Sequence, residues 1–136
     1  LTLIGSMLLH KGDVDGLICG TWGTTAIHLE YVNQVIGKRT GVHTYACMNG
    51  LMLPGRQVFL LDTHVNYDPT AEELAEITTM AAEEMMRFGL KPKAALLSHS
   101  NFGSSNQPSA IKMRDTLQLL QAQCSWFRIL AQPLPV

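Results

Sequence analysis

A short apolar run, Ala94-Ala95-Leu96-Leu97, breaks at once into Ser98-His99-Ser100-Asn101-Phe102-Gly103-Ser104-Ser105, and an amphipathic helix follows from about Pro108. A buried strand, a polar turn and a helix in direct succession place this part of the chain in an α/β architecture. In such sheets ligands bind outside the carboxyl ends of the strands. A Gly- and Ser-rich turn entering a helix offers backbone N–H groups and hydroxyls to an anion. The turn holds no Lys or Arg, so a bound anion would need Lys112, Arg114 or another part of the protein as countercharge.

The same order occurs earlier. Asp15 to Gly20 reads as a short strand, and Thr21-Trp22-Gly23-Thr24-Thr25 as a second polar turn. The turn opens a helix from about Thr25 to Ile36, with Ile27, Tyr31 or Val32, and Val35 on one face and Gly37 as its stop. Before it, Thr2 to Lys11 carries Leu3, Ile4, Met7 and Leu8 on one helical face and ends at Gly12. Val42 to Leu53 and Gln57 to Thr63 favour strands, and Pro54-Gly55-Arg56 between them predicts an antiparallel hairpin.

Thr70 and Glu73 fit a capping box. They begin a helix whose stripe is Leu74, Ile77, Ala81, Met85 and Phe88, with Gly89 at its end. Glu72, Glu73, Glu76, Glu83 and Glu84 on this helix read as a solvated face rather than a catalytic carboxylate cluster. The last helix, from about Pro108 to Gln123, has Ala110, Met113, Leu117 and Leu120 toward the core. Ser125 to Val136 shows no clear period and reads as an atypical tail. This order of elements predicts an α/β fold of three layers with a mixed sheet. Both polar turns can then lie at its carboxyl edge, side by side.

Composition narrows the function. A net charge of −1 gives no electrostatic case for nucleic acid or an anionic membrane surface, and no apolar run is long enough to span a bilayer. No secretory signal is visible in Leu1 to Leu9. Cys19, Cys47 and Cys124 form no C-x-x-C pair, which predicts reduced, buried thiols in a cytoplasmic setting. His10, His28, His43, His64 and His99 show no metal-ligand spacing, so no metal site is expected.

Neither turn carries a nucleotide fingerprint: G-x-G-x-x-G and G-x-x-x-x-G-K-[ST] are both absent. Ser98 and Ser100 flank His99, but G-x-S-x-G is missing and neighbours on an extended segment point apart, against a serine hydrolase. Asp62 and His64 share a strand face, and capping of the turn at Asn66 to Pro69 is their expected role. The residues alone leave two readings of Ser98–Ser105 open, a plain strand-to-helix loop and a phosphate or pyrophosphate cradle.

Three segments together carry a resemblance: Asp13-Val14-Asp15-Gly16-Leu17-Ile18-Cys19-Gly20, Asn66-Tyr67-Asp68-Pro69-Thr70-Ala71-Glu72-Glu73-Leu74-Ala75-Glu76-Ile77, and Ala95-Leu96-Leu97-Ser98-His99-Ser100-Asn101-Phe102-Gly103-Ser104. They resemble the phosphate acetyl/butyryltransferase family, in the branch formed by the phosphotransacetylase-like C-terminal domain of bacterial NADP-dependent malic enzymes. The likeness covers roughly residues 1–124, read as a partial domain, while residues 125–136 depart from the family and suggest a truncation or frame artefact. The resemblance implies a three-layer α/β/α fold with a mixed, mostly parallel sheet, like the isopropylmalate dehydrogenases. It also implies a homo-oligomer.

The same resemblance implies an acyl-CoA or phosphate site at Thr24, Thr25, Ser98, Ser100, Asn101, Gly103 and Ser104, with acetyl-CoA as the partner. Family members that transfer acetyl groups between phosphate and CoA carry an Arg where this chain has Glu30. Their second loop reads S-x-S-T-K-G-S, where this chain has Asn101 and Phe102 for Thr and Lys. Two phosphate-binding cations are thus gone, one exchanged for an anion. The family's catalytic Ser-Arg and Asp would lie beyond Val136. The resemblance therefore implies a non-catalytic, acetyl-CoA-sensing part of a malic enzyme. That enzyme's NADP and Mg²⁺ or Mn²⁺ would sit in an upstream domain, and this segment would need no cofactor. The alternative is a stand-alone phosphate acetyltransferase.

Overall fold

The computed structural model describes residues 1–99, 104–124 and 128–130. The chain divides into two compact units, Leu1–His43 and Thr44–Val136.

In the first unit, α1 (Thr2–Lys11) packs on α2 (Thr25–Val35). Gly12 ends α1 at φ 77°, where its N–H bonds back to the last turn, and this left-handed conformation costs a glycine least. The packed face of α1 is not the expected one. Leu3, Ile4, Met7 and Leu8 are exposed, whereas Thr2 and Ser6 are buried beside half-buried Gly5 and Leu9. Small residues let the backbone approach closely: a Cβ on Gly5 would stand 2.5 Å from Cδ1 of Leu17. On α2, Val32 and Val35 lie on the inward side as expected, whereas Ile27 does not. His28, Leu29, Val32 and Val35 are half-buried, while Ile27 and Tyr31 are exposed.

The strand expected at Asp15 to Gly20 does not form. Residues 16–20 join no ladder, and the Ile18 side chain is fully exposed. Strand conformation needs a hydrogen-bonded neighbour, and no described segment pairs with this one.

The second unit contains two small sheets. β1 (Met48–Leu53) and β2 (Arg56–Leu61) form the expected antiparallel hairpin, in register from Met48↔Leu61 to Leu53↔Arg56. Its connection is Pro54-Gly55, with Gly55 at φ 74°, the Pro-then-left-handed-Gly order of a tight turn. β3 (Lys93–Ala95) pairs in parallel with β4 (Arg128–Leu130). The strand at 94–97 is thus shorter and shifted by a residue, and β4 arises in a segment with no strand period.

Between the sheets in sequence, α3 (Ala71–Arg87) starts at the predicted capping box. Thr70 Oγ1 accepts the Glu73 N–H at 3.2 Å, and Glu73 Oε2 accepts the Thr70 N–H at 2.8 Å. The helix α4 (Pro108–Gln123) has the predicted bounds. Helices α3 and α4 pack together around Ala75, Leu120 and Cys124, with Leu96, Leu119 and Ile129 against them. The buried residues of α3 are Ala75, Ile77, Thr78, Ala81 and Ala82; Ile77 and Ala81 are those of the expected stripe, Leu74 and Met85 are only half-buried, and Phe88 is exposed. On α4, fully buried Thr116 joins Ala110 and Leu120, while Met113 and Leu117 are half-buried. Thr116 meets its hydrogen-bonding need locally, donating to the Lys112 carbonyl at 2.8 Å.

Helices with a parallel and an antiparallel strand pair make this an α/β fold. None of the described helices is long and apolar enough to cross a membrane.

Candidate functional site

The first polar turn belongs to the first unit. Its backbone is unusual, with Thr21 at φ 78° and Gly23 at φ 93°. Such a conformation is costly for Thr, which lacks glycine's freedom at positive φ. Thr24 then returns to extended backbone as the N-cap of α2, its Oγ1 accepting the Ile27 N–H at 3.4 Å. Thr25 is the first residue of the helix and is exposed.

The turn is held by His28, one of the five histidines that show no metal-ligand spacing in the sequence. Its Nε2 lies 2.8 Å from the Trp22 carbonyl oxygen, and its Nδ1 lies 2.7 Å from Thr2 Oγ1. A neutral ring protonated on Nε2 satisfies both, donating to the carbonyl and accepting from the hydroxyl. Thr24 and Thr25 are therefore presented by a backbone tied to both helices of the unit. Glu30, one turn further along α2, is exposed and accepts from Gln34 Nε2 at 3.4 Å.

The second polar turn follows β3 in the other unit. Ser98 is half-buried and Ser104 is exposed. Ser100, Asn101 and Gly103 lie outside the described residues. The turn leads to α4, whose N-cap Gln107 makes no side-chain cap and whose first residue is Pro108. His99 ties the strand side of the turn to the helix side. Its Nδ1 is 3.1 Å from Ser109 Oγ, and its Nε2 is 3.4 Å from Ser105 Oγ, which in turn accepts the Gln107 N–H at 3.1 Å.

The two cations expected to assist an anion are engaged otherwise. Lys112 makes an ion pair with Asp68. Arg114 donates to the Ser105 carbonyl at 2.7 Å and to Asn106 Oδ1 at 3.5 Å, fixing the exit of the turn. A charged donor on a backbone carbonyl is a strong positional restraint. What the turn offers an anion among its described residues is therefore hydroxyls and backbone, while the nearby positive charge serves the scaffold.

The remaining polar centre lies at the open end of the hairpin. Asp62, at φ 49°, accepts from the Asn66 N–H at 3.0 Å, from Asn66 Nδ2 at 2.7 Å and from the Cys47 N–H at 3.4 Å. This is the turn-capping role expected of it. His64 turns away to Thr63 Oγ1 at 3.0 Å and Cys47 Sγ at 3.4 Å. Nor are the glutamates of α3 a uniformly solvated face: Glu76 is half-buried and accepts the Thr44 N–H at 3.0 Å. Cys19 is exposed and Cys47 half-buried, so of the three thiols only Cys124 is buried as expected. Among the described residues no group of three or more His, Cys, Asp or Glu side chains is placed to hold a metal ion.

A strand-linked Ser-x-Ser turn, a threonine-rich helix cap and an α/β frame are consistent with the resemblance seen in the sequence, and comparison with known proteins tests it. The family model described as phosphate acetyl/butaryl transferase matches residues 1–129. The chain belongs to this family.

Within the phosphate acetyl/butaryl transferase family, two kinds of relative stand at different distances. The chain is 56% identical to the NADP-dependent malic enzyme of Salmonella typhimurium over 86% of its own length and 15% of that protein. It is 34% identical to the phosphate acetyltransferase of Nitrosomonas europaea over 86% of its length and 17% of that protein. The chain thus spans less than a fifth of these curated relatives. Among solved structures, a phosphotransacetylase from Streptococcus pyogenes superposes with a TM-score of 0.83 at 29% identity, covering 96% of this chain and 40% of the other.

Proposed function

We propose that this chain is the phosphotransacetylase-like part of an NADP-dependent malic enzyme, where it binds acetyl-CoA as a regulatory ligand and supports assembly of a homo-oligomer. The observation that carries this reading is the gap between 56% identity to a malic enzyme and 34% to a phosphate acetyltransferase over the same share of the chain. Two local features agree with it. Glu30 stands exposed on α2 where an acetyl-transferring enzyme needs a cation, and Lys112 and Arg114 are committed to Asp68 and to the loop backbone. A loop of hydroxyls and backbone N–H groups without free cations suits recognition of a CoA ester better than turnover of phosphate.

In this reading the strands of the two small sheets belong to one mixed, mostly parallel sheet of a partial three-layer α/β/α domain, which takes in β4 beyond residue 124. Thr24 and Thr25 on the first turn, and Ser98, Ser100, Asn101, Gly103 and Ser104 on the second, are the residues this reading assigns to acyl-CoA or phosphate. Malate oxidation and decarboxylation, with NADP and Mg²⁺ or Mn²⁺, belong to another domain of the same cytoplasmic enzyme, and no residue of this chain is assigned to those groups.

The test is steady-state malic activity of the whole enzyme against acetyl-CoA. Inhibition by acetyl-CoA is expected, and Gly103→Val should weaken it at least tenfold without changing activity in its absence. Unchanged inhibition in that variant would overturn the loop assignment. Conversion of acetyl phosphate and CoA to acetyl-CoA at an enzymatic rate would instead establish a phosphate acetyltransferase.

A further inference from the structure

The hairpin tip and the C-terminal end of α3 line an open groove of about 600 Å³ to which neither polar turn contributes a residue. Its apolar lining includes Met52, Phe59, Met85 and Leu90. The hairpin register explains how part of this lining arises. Gly50 pairs with Phe59 and Met52 pairs with Gln57, so these four share one face of the ribbon. With no side chain at Gly50, the Phe59 ring lies over the backbone there: a Cβ on that glycine would be 3.3 Å from Cε1 of Phe59. Met52 remains 74% exposed.

The charges around this groove are one-sided. Arg56 and Lys91 both line it, and no carboxylate does. Among the described residues neither cation has an ion-pair or hydrogen-bond partner, whereas Lys112, Arg87 and Arg114 all do. In a chain of net charge −1, two unpaired cations beside one apolar groove are a local segregation of charge. Pockets of about 300–1,000 Å³, apolar with a few placed polar groups, are the usual size and make-up of small-molecule sites. Two unbranched methionines give a lining that adapts to a flexible chain. An arginine fork beside a lysine suits a carboxylate or phosphate.

We propose that this groove binds an amphipathic anion, a medium-length alkyl chain ending in a carboxylate or phosphate group, with the chain on Met52, Phe59, Met85 and Leu90 and the anionic end at Arg56 and Lys91. The site is separate from the acyl-CoA site proposed above and does not rest on it.

The probes are decanoate, decanol and decyl phosphate, titrated into the 136-residue chain by calorimetry below their micelle-forming concentrations. Saturable one-to-one binding of decanoate is expected, at least tenfold tighter than decanol and weakening as salt is raised. Comparison of decanoate with decyl phosphate shows which head group the cations favour. The double variant Arg56→Gln/Lys91→Gln should lose at least tenfold in decanoate affinity and leave decanol unchanged. Met52→Ser should weaken both ligands. All three substituted side chains are exposed, so folding is not at stake. Equal affinity for decanoate and decanol, or full affinity in the double variant, would overturn the proposal. So would sedimentation showing a concentration-dependent dimer that Met52→Ser abolishes, because the groove would then be an interface between copies.

Discussion

Thr2 Oγ1 and His28 Nδ1 lie 2.7 Å apart, a hydrogen bond that joins α1 to α2 across 26 residues of chain. The other ring nitrogen of His28 reaches the Trp22 carbonyl at 2.8 Å, so one imidazole fixes both a helix pair and the turn that presents Thr24. Thr21 and Gly23 hold positive φ within that turn, and their conformation needs such external support.

His28→Ala should therefore loosen residues 20–24 before it affects the rest of the unit. Loss of two hydrogen bonds, each of net worth about 1 kcal/mol, is expected to raise amide exchange and proteolytic cleavage in the turn. Exchange of the Gly23 and Thr24 amides, followed by mass spectrometry or NMR, is the measurement. Protection equal to that of the parent chain would show that the imidazole does not hold the turn.

The sequence was legible where local chemistry decides structure. The Thr70–Glu73 box, the Pro54-Gly55 turn, the Gly12 stop and Pro108 at a helix start act over one turn of chain, and all appear as read. Faces were less legible, because the largest apolar residues do not choose the contact when close approach is worth more. In α1 the buried positions are Thr2 and Ser6, with Gly5 closely approached by Leu17, and in α3 Ala75, Thr78 and Ala82 are buried alongside the expected Ile77 and Ala81. The strand expected at residues 15–20 is absent for another reason: an apolar run says nothing about whether an edge is present to pair with it. At the candidate site the hydroxyls were visible in the sequence. The histidines that hold the turns were not, since Thr2–His28 and His99–Ser109 are contacts between segments that no spacing rule connects.

Leu120 is fully buried against Ala75 and Cys124, where α4 meets α3. Neighbours as small as alanine cannot close over a lost side chain, so Leu120→Ala should leave most of its cavity open. A loss of about 3–4 kcal/mol in unfolding free energy of the Thr44–Val136 unit is expected, within the range of Leu-to-Ala changes in packed cores. Urea denaturation followed by far-ultraviolet circular dichroism gives the number. A loss below about 1 kcal/mol would mean that the α3–α4 contact is not the core of this unit.

The three thiols should react in the order of their exposure. Cys19 is exposed, Cys47 is half-buried against Thr63 and His64, and Cys124 is buried beside Thr79 Oγ1 at 3.3 Å. With a disulfide reagent in excess, Cys19 is expected to label first and Cys124 only after denaturation. Peptide mapping of a timed reaction identifies each step. Early labelling of Cys124 in the native chain would contradict the packing of α4 on α3.

Asp62 carries a heavier structural role than its partial exposure suggests. Its carboxylate accepts three N–H groups, two from Asn66 and one from Cys47, and its own N–H donates to the Cys47 carbonyl at 2.8 Å. It also sits at φ 49°, a conformation that Asn tolerates better than Ala. Asp62→Ala removes every acceptor and adds backbone strain, and a loss of about 2–3 kcal/mol is expected. Asp62→Asn keeps one amide oxygen and the backbone preference, so its loss should be about 1 kcal/mol. The difference between the two variants matters more than either value. If both lose the same amount, the ionised carboxylate alone supplies the stabilisation. If Asp62→Ala is neutral, the capping of the turn at Asn66 contributes nothing to folding. The expected order, parent above Asn above Ala in thermal midpoint, requires that hydrogen bonding and the left-handed backbone both act at this residue.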